Sequence, residues 1–367
     1  MKVLHVIIGL GLGGAEKVLT TLVERSTDIE HVVVSLTHHD AYAARLRAAG
    51  ATVESFGATG TLSGVAVIPP LARMIRRHAP DVVQTWMYHS ETIGTLAARL
   101  AGHRTVVWNI RRSSILASDQ TRRTLMIAKT NARLSRKMPT RIICCAHAAA
   151  RWHAQLGYDA AKMVVIPNGI DVEAWSSAKA ADLALPDGRP LIGCVARYHR
   201  SKDHRTLFEA LAGLDGWGTL ALVGNGMERD NAALLEMVDA AGLPRDKLML
   251  LGPRRDIMDV MAAFDIHVLS SHTEGFPNVV AEAMAAGCLG VASDVGDADH
   301  IASGHAQVVP PRDPTAMRAA IDSLLSLSPT KKRERVRAAR RHVREHFGMA
   351  RMVEAYREVW EDAMRAS

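Results

Sequence analysis

Two glutamates, Glu274 and Glu282, bracket the seven residues Gly-Phe-Pro-Asn-Val-Val-Ala. The wider segment, Ser270 to Gly287, follows a strand-like run and has the order loop, Pro277 at the first helical position, helix, and Gly287 as a stop. A loop carboxylate and a second one a turn into the helix can face one cavity, with the free backbone N–H groups of the helix start between them. Carboxylates suit sugar hydroxyls because they accept their hydrogen bonds, and helix-start amides suit phosphates. One site could thus hold a ribose, a diphosphate and a hexose together. The plain alternative is an exposed helix acid and a solvated loop acid.

Gly9, Gly11 and Gly14 satisfy G-x-G-x-x-G and precede a pattern in which Ala15, Val18, Leu19, Leu22 and Val23 share a helical face. A dinucleotide fold also needs an acid at the end of the second strand to bind the ribose. That strand ends Ser35-Leu36-Thr37-His38-His39, with Asp40 the only acid close by, which argues against NAD; glycines serving a tight turn are the simpler reading. Arg197 and Lys202 follow a core strand and, taken alone, are as well read as surface cations at a helix start. Asp297-Ala-Asp299 has the D-x-D form of some metal sites but lies late in the second half, and the 17 histidines form no compact ligand set, so no metal is expected. The four cysteines, Cys144, Cys145, Cys194 and Cys288, sit in apolar runs without C-x-x-C spacing and read as reduced core residues.

The elements that must position these residues alternate between β-branched runs and helical patterns. Runs at Val3 to Ile8, His31 to Leu36, Thr52 to Phe56, Val82 to Thr85, Thr105 to Asn109 and Arg141 to Cys145 predict a parallel α/β sheet. The pattern restarts beyond a Pro-Asn-Gly turn and the Pro186 to Pro190 loop, with runs at Leu191 to Val195, Thr219 to Val223, Leu248 to Leu251, Ile266 to Leu269 and Leu289 to Ala292. Two doubly wound Rossmann-like domains are expected: 1–168, completed by a helix at about 350–367, and 169–349. Lys331 to Ser367 is expected to be helical throughout, basic to Arg344 and then amphipathic through Met352, Tyr356, Val359 and Trp360.

A chain of 367 residues favours two domains. Its composition, 48% hydrophobic and 23% charged, is that of a soluble globular protein, and no apolar run approaches the roughly 20 residues of a membrane span. Met1-Lys2 leads straight into a short apolar stretch without a cleavage-site pattern, so a cytoplasmic location is expected. The net charge of +7 is uneven: 21 basic against 10 acidic residues up to Asn168 give +11, and 24 against 28 beyond it give −4. The basic first half suits an anionic partner or a merely solvated face. Arg122 to Lys137 mixes Leu125, Ile127, Ala128, Ala132 and Leu134 with cations, as an interfacial helix would, or as a surface helix packed on its sheet would. The basic stretch Lys331 to Arg344 lacks interleaved aromatics, so no nucleic acid is expected.

The E-x7-E pattern inside Glu274-Gly-Phe-Pro-Asn-Val-Val-Ala-Glu-Ala-Met-Ala-Ala-Gly287 resembles the signature of family 4 of the retaining glycosyltransferases, which have the GT-B fold. Similar to the family, and in its order, are Gly13-Gly-Ala-Glu-Lys17, Ile166-Pro-Asn-Gly-Ile-Asp171, Val195-Ala-Arg-Tyr-His-Arg-Ser-Lys-Asp203, Leu222-Val-Gly-Asn-Gly226 and Leu251-Gly-Pro-Arg-Arg-Asp256. Essentially the whole chain is covered. The resemblance implies two Rossmann-like domains facing a cleft, a donor UDP-sugar or GDP-sugar held mainly by the second, and no cofactor or metal. It implies that Arg197 and Lys202 clamp the diphosphate, Glu282 binds the ribose, Glu274 contacts the transferred sugar, amides near Phe276 to Val280 meet the phosphates, and Gly275, Phe276, Pro277, Asn278 and Val279 belong to the donor site. The loop carrying Arg254 would border the base, and Gly13 and Gly14 would allow close approach from the first domain.

The departure lies on the acceptor side. Where the family often has a histidine after the fifth strand, this chain has Arg111 and Arg112, which cannot act as bases near neutral pH but can hold a phosphate. His89, after the fourth strand, is a candidate acceptor contact. The expected activity is transfer of a hexose or N-acetylhexosamine to a glycan, with a polyprenyl-diphosphate-linked acceptor at the inner membrane face favoured, as in exopolysaccharide or lipopolysaccharide assembly. A GT-B epimerase or phosphorylase, an NAD-dependent oxidoreductase and a silent scaffold are the rival readings.

Overall fold

The computed structural model describes residues 1–37, 41–57, 66–112 and 122–367. Outside them lie His38, His39, Asp40 and Ser113, and with them the side chains of Arg122 and Arg123. The chain forms two compact units, Met1–Gly169 with Met349–Ser367, and Ile170–Gly348.

In the first unit, β1 (Lys2–Ile7), β2 (Glu30–Ser35), β3 (Thr52–Ser55), β4 (Val82–Trp86), β5 (Val106–Ile110), β6 (Arg141–Cys144) and β7 (Met163–Val165) form one sheet. Its order is β3-β2-β1-β4-β5-β6-β7, every pairing parallel. The second unit has β8 (Leu191–Val195), β9 (Thr219–Val223), β10 (Leu248–Gly252), β11 (Ile266–Leu269), β12 (Leu289–Ser293) and β13 (Gln307–Val309), in the order β10-β9-β8-β11-β12-β13, again all parallel. Each unit is thus doubly wound, and the α/β class expected from alternation is the one observed. β7 and β13, three residues each at sheet ends, escape the sequence reading because so short a run carries no period.

The inner strands are buried along nearly their whole length because helices cover both sheet faces, while the edge strands β3, β7, β10 and β13 are mostly half-buried or exposed. The helix Gly14–Arg25 buries Leu19, Leu22 and Val23 as its spacing predicts. The last helix, Met349–Arg365, buries Met352, Val353, Tyr356, Val359, Trp360 and Ala363 in the core of the first unit. Deleting a buried aromatic side chain costs about 3–5 kcal/mol, so Tyr356 and Trp360 alone anchor this helix firmly. The expectation of unbroken helix from Lys331 to Ser367 is corrected here. Helix Pro329–Phe347 ends, Gly348 is extended at φ −66° and ψ 153°, and a Cβ there would meet the Arg344 carbonyl oxygen at 2.6 Å.

The first core also holds a polar wire. Trp86 Nε1 donates to His5 Nδ1 at 3.2 Å, which places the His5 proton on Nε2 and directs it to His31 Nδ1 at 3.0 Å. His31 Nε2–H then donates to Ser26 Oγ at 2.9 Å, and the Ser26 hydroxyl to the Leu22 carbonyl at 2.5 Å. Each proton in the chain has one acceptor, so both rings are satisfied only when neutral.

In helix Arg122–Ser135, Ala128, Asn131, Ala132 and Ser135 are buried against the rest of the unit, and Asn131 Nδ2 donates to the Tyr88 carbonyl and to Glu91. Met126 is 67% exposed, amid exposed Lys129 and Arg133. Of the predicted apolar stripe, Ala128 and Ala132 are thus core, while Leu125, Ile127 and Leu134 are half-buried. No helix of the described residues is long and apolar enough to cross a membrane.

Candidate active site

In a doubly wound sheet, ligands bind beyond the carboxyl ends of the strands where the strand order reverses. In the second unit that point lies between β8 and β11, which are neighbours in the sheet though 70 residues separate them in the chain. Arg197 and Lys202 follow β8, and Glu274 follows β11, so the topology alone brings them to one place.

The contact is direct. Lys202 Nζ lies 2.5 Å from Glu274 Oε1, and the same carboxylate oxygen accepts from Ser271 Oγ at 2.6 Å. The lysine is 22% and the glutamate 16% exposed, which places the pair at the rim of the interior, still reachable by a ligand. Ser270 Oγ donates to the Lys202 carbonyl at 2.8 Å, and the His272 N–H to the Ser201 carbonyl at 3.0 Å, so the two loops are laced through their backbones. Arg197 is exposed at the start of the same β8 loop. Gly224, at φ 137°, makes room for that loop, since a Cβ there would meet the Ala196 carbonyl oxygen at 2.3 Å.

The carboxylate loop is pinned from the next strand end. The Asp297 N–H donates to the Gly275 carbonyl at 3.0 Å, and Gly296, at φ 63°, lies so close that a Cβ would sit 2.3 Å from the same oxygen. Phe276 and Pro277 are buried, with the Phe276 ring 5.8 Å from that of Phe347. Helix Asn278–Ala286 begins immediately beyond, and Pro277 occupies its N-cap, one residue earlier than the first-helical position expected. A proline cap offers no side chain to the first amides, and its own missing N–H would be unsatisfied in any case. Asn278 is exposed, Val279 half-buried, and Glu282 half-buried one turn in, with Gly287 closing the helix in the left-handed region at φ 100°. An exposed cation, a lysine–carboxylate pair and an uncapped helix start together can neutralise a diphosphate and accept bonds from hydroxyls.

Not every predicted residue joins this cluster. Arg254 follows β10, at the sheet edge two strands from β8, and makes a two-pronged ion pair with Asp256 at 2.5 and 2.8 Å. In the first unit the order reverses between β1 and β4, and there Gly13 caps the helix Gly14–Arg25 while His89 enters the helix Tyr88–Leu100. A Cβ on Gly13 would meet Glu16 Oε2 at 2.2 Å, whereas Gly14 faces open space. His89 is half-buried, and burial lowers its pKa. Arg111 and Arg112 follow β5, beside β4; Arg111 donates to the Tyr356 hydroxyl at 3.2 Å and to the Asn168 side-chain oxygen, so its guanidinium also ties the last helix to the sheet. Asp297 lies 2% exposed at the cap of helix Ala298–Ala302, and among the described residues no group of three or more His, Cys, Asp or Glu could hold a metal ion.

Ser270, Ser271 and Gly296 carry no role in the sequence reading. A hydroxyl three residues before Glu274 was the available signal for Ser271; the others depend on strand adjacency that no local pattern displays.

Residues 12–174 match the model of Glycosyltransferase Family 4, and residues 189–327 that of Glycosyl transferases group 1. EpsF of Bacillus subtilis strain 168 is 26% identical over 310 residues, 80% of this chain and 79% of that one. The UDP-Gal:alpha-D-GlcNAc-diphosphoundecaprenol alpha-1,3-galactosyltransferase of Escherichia coli is 27% identical over 61% of this chain and 60% of its own length, less than two thirds of that protein. Among solved structures, HepE of Anabaena in complex with UDP superposes with a TM-score of 0.82 at 20% identity, over 98% of this chain and 100% of that one, which shows the GT-B fold. The chain belongs to the GT-B glycosyltransferases, with a family 4 domain in its first half and a group 1 domain in its second.

Proposed function

We propose that this enzyme moves a hexose or N-acetylhexosamine from a UDP-sugar or GDP-sugar to a polyprenyl-diphosphate-linked glycan, with retention of anomeric configuration, in cell-surface polysaccharide assembly at the cytoplasmic membrane face. The observation that carries the reading is the Lys202–Glu274 contact at the switch point of the second sheet, beside an uncapped helix start. The Escherichia coli relative named above, whose substrates carry these groups in its name, supports the choice of donor and acceptor class.

In this reading the second unit binds the donor. Arg197 and Lys202 neutralise the diphosphate as its bond to the sugar's anomeric carbon breaks, where stabilising developing charge is most effective. Glu282 accepts from the ribose hydroxyls and Glu274 from hydroxyls of the transferred sugar. The first unit binds the acceptor through His89, with Arg111 and Arg112 near its phosphates. The acceptor hydroxyl attacks the anomeric carbon on the face the diphosphate leaves, and its proton passes to the departing phosphate oxygen. No enzymic base is then required, which suits a site whose acceptor side offers arginines.

The test is incubation with labelled UDP- and GDP-sugars and a polyprenyl-diphosphate-linked sugar. Label should enter the lipid fraction in a linkage of the donor's anomeric configuration. Turnover of a sugar nucleotide without any acceptor, or none with any donor, would overturn the reading.

A further inference from the structure

At the other end of the first sheet, a concavity of about 650 Å³ is walled by Arg99, His103, Arg104, Lys137, Arg141 and Lys162. Its walls come from the amino ends of the strands: His103 and Arg104 precede β5, Arg141 opens β6, and Lys162 precedes β7. β5 has five residues, so roughly 16 Å of strand separate this place from the carboxyl end where His89 and Arg111 lie. It belongs to neither the donor nor the acceptor residues named above.

Five permanent cations converge here; Arg141 Nε meets Asp362 at 2.5 Å, Asp159 acts on Lys162, and the terminal residue Ser367 also lines the concavity, so the cations outnumber the acids. Like charges gathered in a concavity repel, and water screens them less there than on an open face. The protein nonetheless holds three of them, Arg99, Arg141 and Lys162, in place. Lys162 Nζ donates to three carbonyls, of Ser135, Arg136 and Pro139, at 3.2, 2.8 and 2.9 Å, and Arg99 Nη2 donates to the Met138 carbonyl at 2.8 Å. Those carbonyls include the last of helix Arg122–Ser135, so the lysine caps it. Carbonyl partners orient a cation without removing its charge. The Arg104 and Lys137 side chains have no hydrogen bond or ion pair among the described residues, and both are exposed, so their charge is available to a ligand. The volume lies within the range of small-molecule sites, roughly 300–1,000 Å³.

We propose that this concavity is a second ligand site of the enzyme, taking one or more phosphate groups, borne either by a soluble phosphorylated metabolite or by an anionic lipid headgroup. Fixed arginines and lysines lining a concavity match phosphate oxygens in charge and in hydrogen-bond sense, since every group they present is a donor. Burial lowers the Lys162 pKa, with Asp159 opposing and Arg141 and Arg99 adding to the shift, so an arriving anion relieves a strain already present.

The test uses the full chain with two probes, inorganic phosphate and phosphatidylglycerol vesicles, the latter compared with phosphatidylcholine vesicles. The variant is Arg104→Glu with Lys137→Glu, both exposed. A charge-matched control, Lys331→Glu with Arg337→Glu, changes exposed residues of helix Pro329–Phe347 by the same total charge. The expected result is loss of affinity for one probe by at least about tenfold in the first variant and little change in the control. Loss confined to inorganic phosphate identifies a soluble ligand; loss confined to phosphatidylglycerol identifies the lipid. Equal loss in both variants, no loss in either, or no binding of either probe would overturn the proposal.

Discussion

Replacing Lys202 by methionine lowers kcat by about 10²–10³-fold, the usual effect of removing one group that stabilises developing charge. That is a loss of roughly 3–4 kcal/mol of transition-state stabilisation. Methionine keeps the length and apolar stem of lysine, so the loop retains its packing while the Glu274 carboxylate keeps Ser271 as a partner at 2.6 Å. The two loops are tied by the Ser270 hydroxyl to the Lys202 carbonyl and by the His272 N–H to the Ser201 carbonyl, bonds that a side-chain change leaves in place. The far-UV spectrum and melting temperature should therefore stay near those of the parent. Steady-state kinetics of sugar transfer check the prediction, and a fall below about threefold would remove Lys202 from the leaving-group role.

The second large effect is acid sensitivity. Burial lowers the pKa of His31, His153, His204 and His267 to about 4 and that of His5 well below its usual value, from an ordinary value near 6.5. Above pH 6.5 these rings are neutral in folded and unfolded chains alike. Between pH 6.5 and about 4 the unfolded chain binds protons that the folded chain refuses, and each ring removes about 1.4 kcal/mol of stability per pH unit. For His5 and His31 the cause is visible in the wire from Trp86 to Leu22, where a second ring proton has no acceptor.

Glu91 acts oppositely. Burial raises its carboxyl to about 8, so as pH rises from about 4.5 to 8 the unfolded chain ionises first and stability falls. Three histidines of the first unit against this one acid leave a net loss on acidification. From pH 7 to pH 5 each unit should lose on the order of 4 kcal/mol, or about 10 °C in Tm. Glu91→Gln keeps an oxygen for Asn131 Nδ2, now 2.9 Å from the carboxylate, and should raise the Tm at pH 7 and hardly at pH 5. Calorimetric scans across this range check both. A Tm unchanged between pH 7 and 5 would contradict the neutral buried histidines.

The parallel sheets were legible because strands buried on both faces read as unbroken apolar runs, such as Val32-Val33-Val34 and Leu220-Ala221-Leu222. The break at Gly348 was not, since helical periodicity resumes on either side and only the crowding against Arg344 reveals why a glycine stands there. In the site, Glu274, Pro277 and Glu282 announce a loop and a helix by local spacing. The Lys202–Glu274 contact spans 72 residues and depends on β8 lying beside β11, which no local pattern states. Its chemistry was anticipated through resemblance to a family. On the acceptor side, Arg111 shows the limit of residue type as a guide, because its bonds to Tyr356 and Asn168 give it a place in holding the first unit together.

The central claim is that the second unit binds a nucleoside diphosphate through Arg197 and Lys202. Its most direct measurement is calorimetric titration of the full chain, and of the Arg197→Ala, Lys202→Met double variant, with UDP and GDP. The account predicts one site per chain for at least one nucleotide, weakened at least about tenfold in the variant, as expected for the loss of two charge-assisted partners. Binding of neither nucleotide, or equal affinity in both proteins, would contradict it.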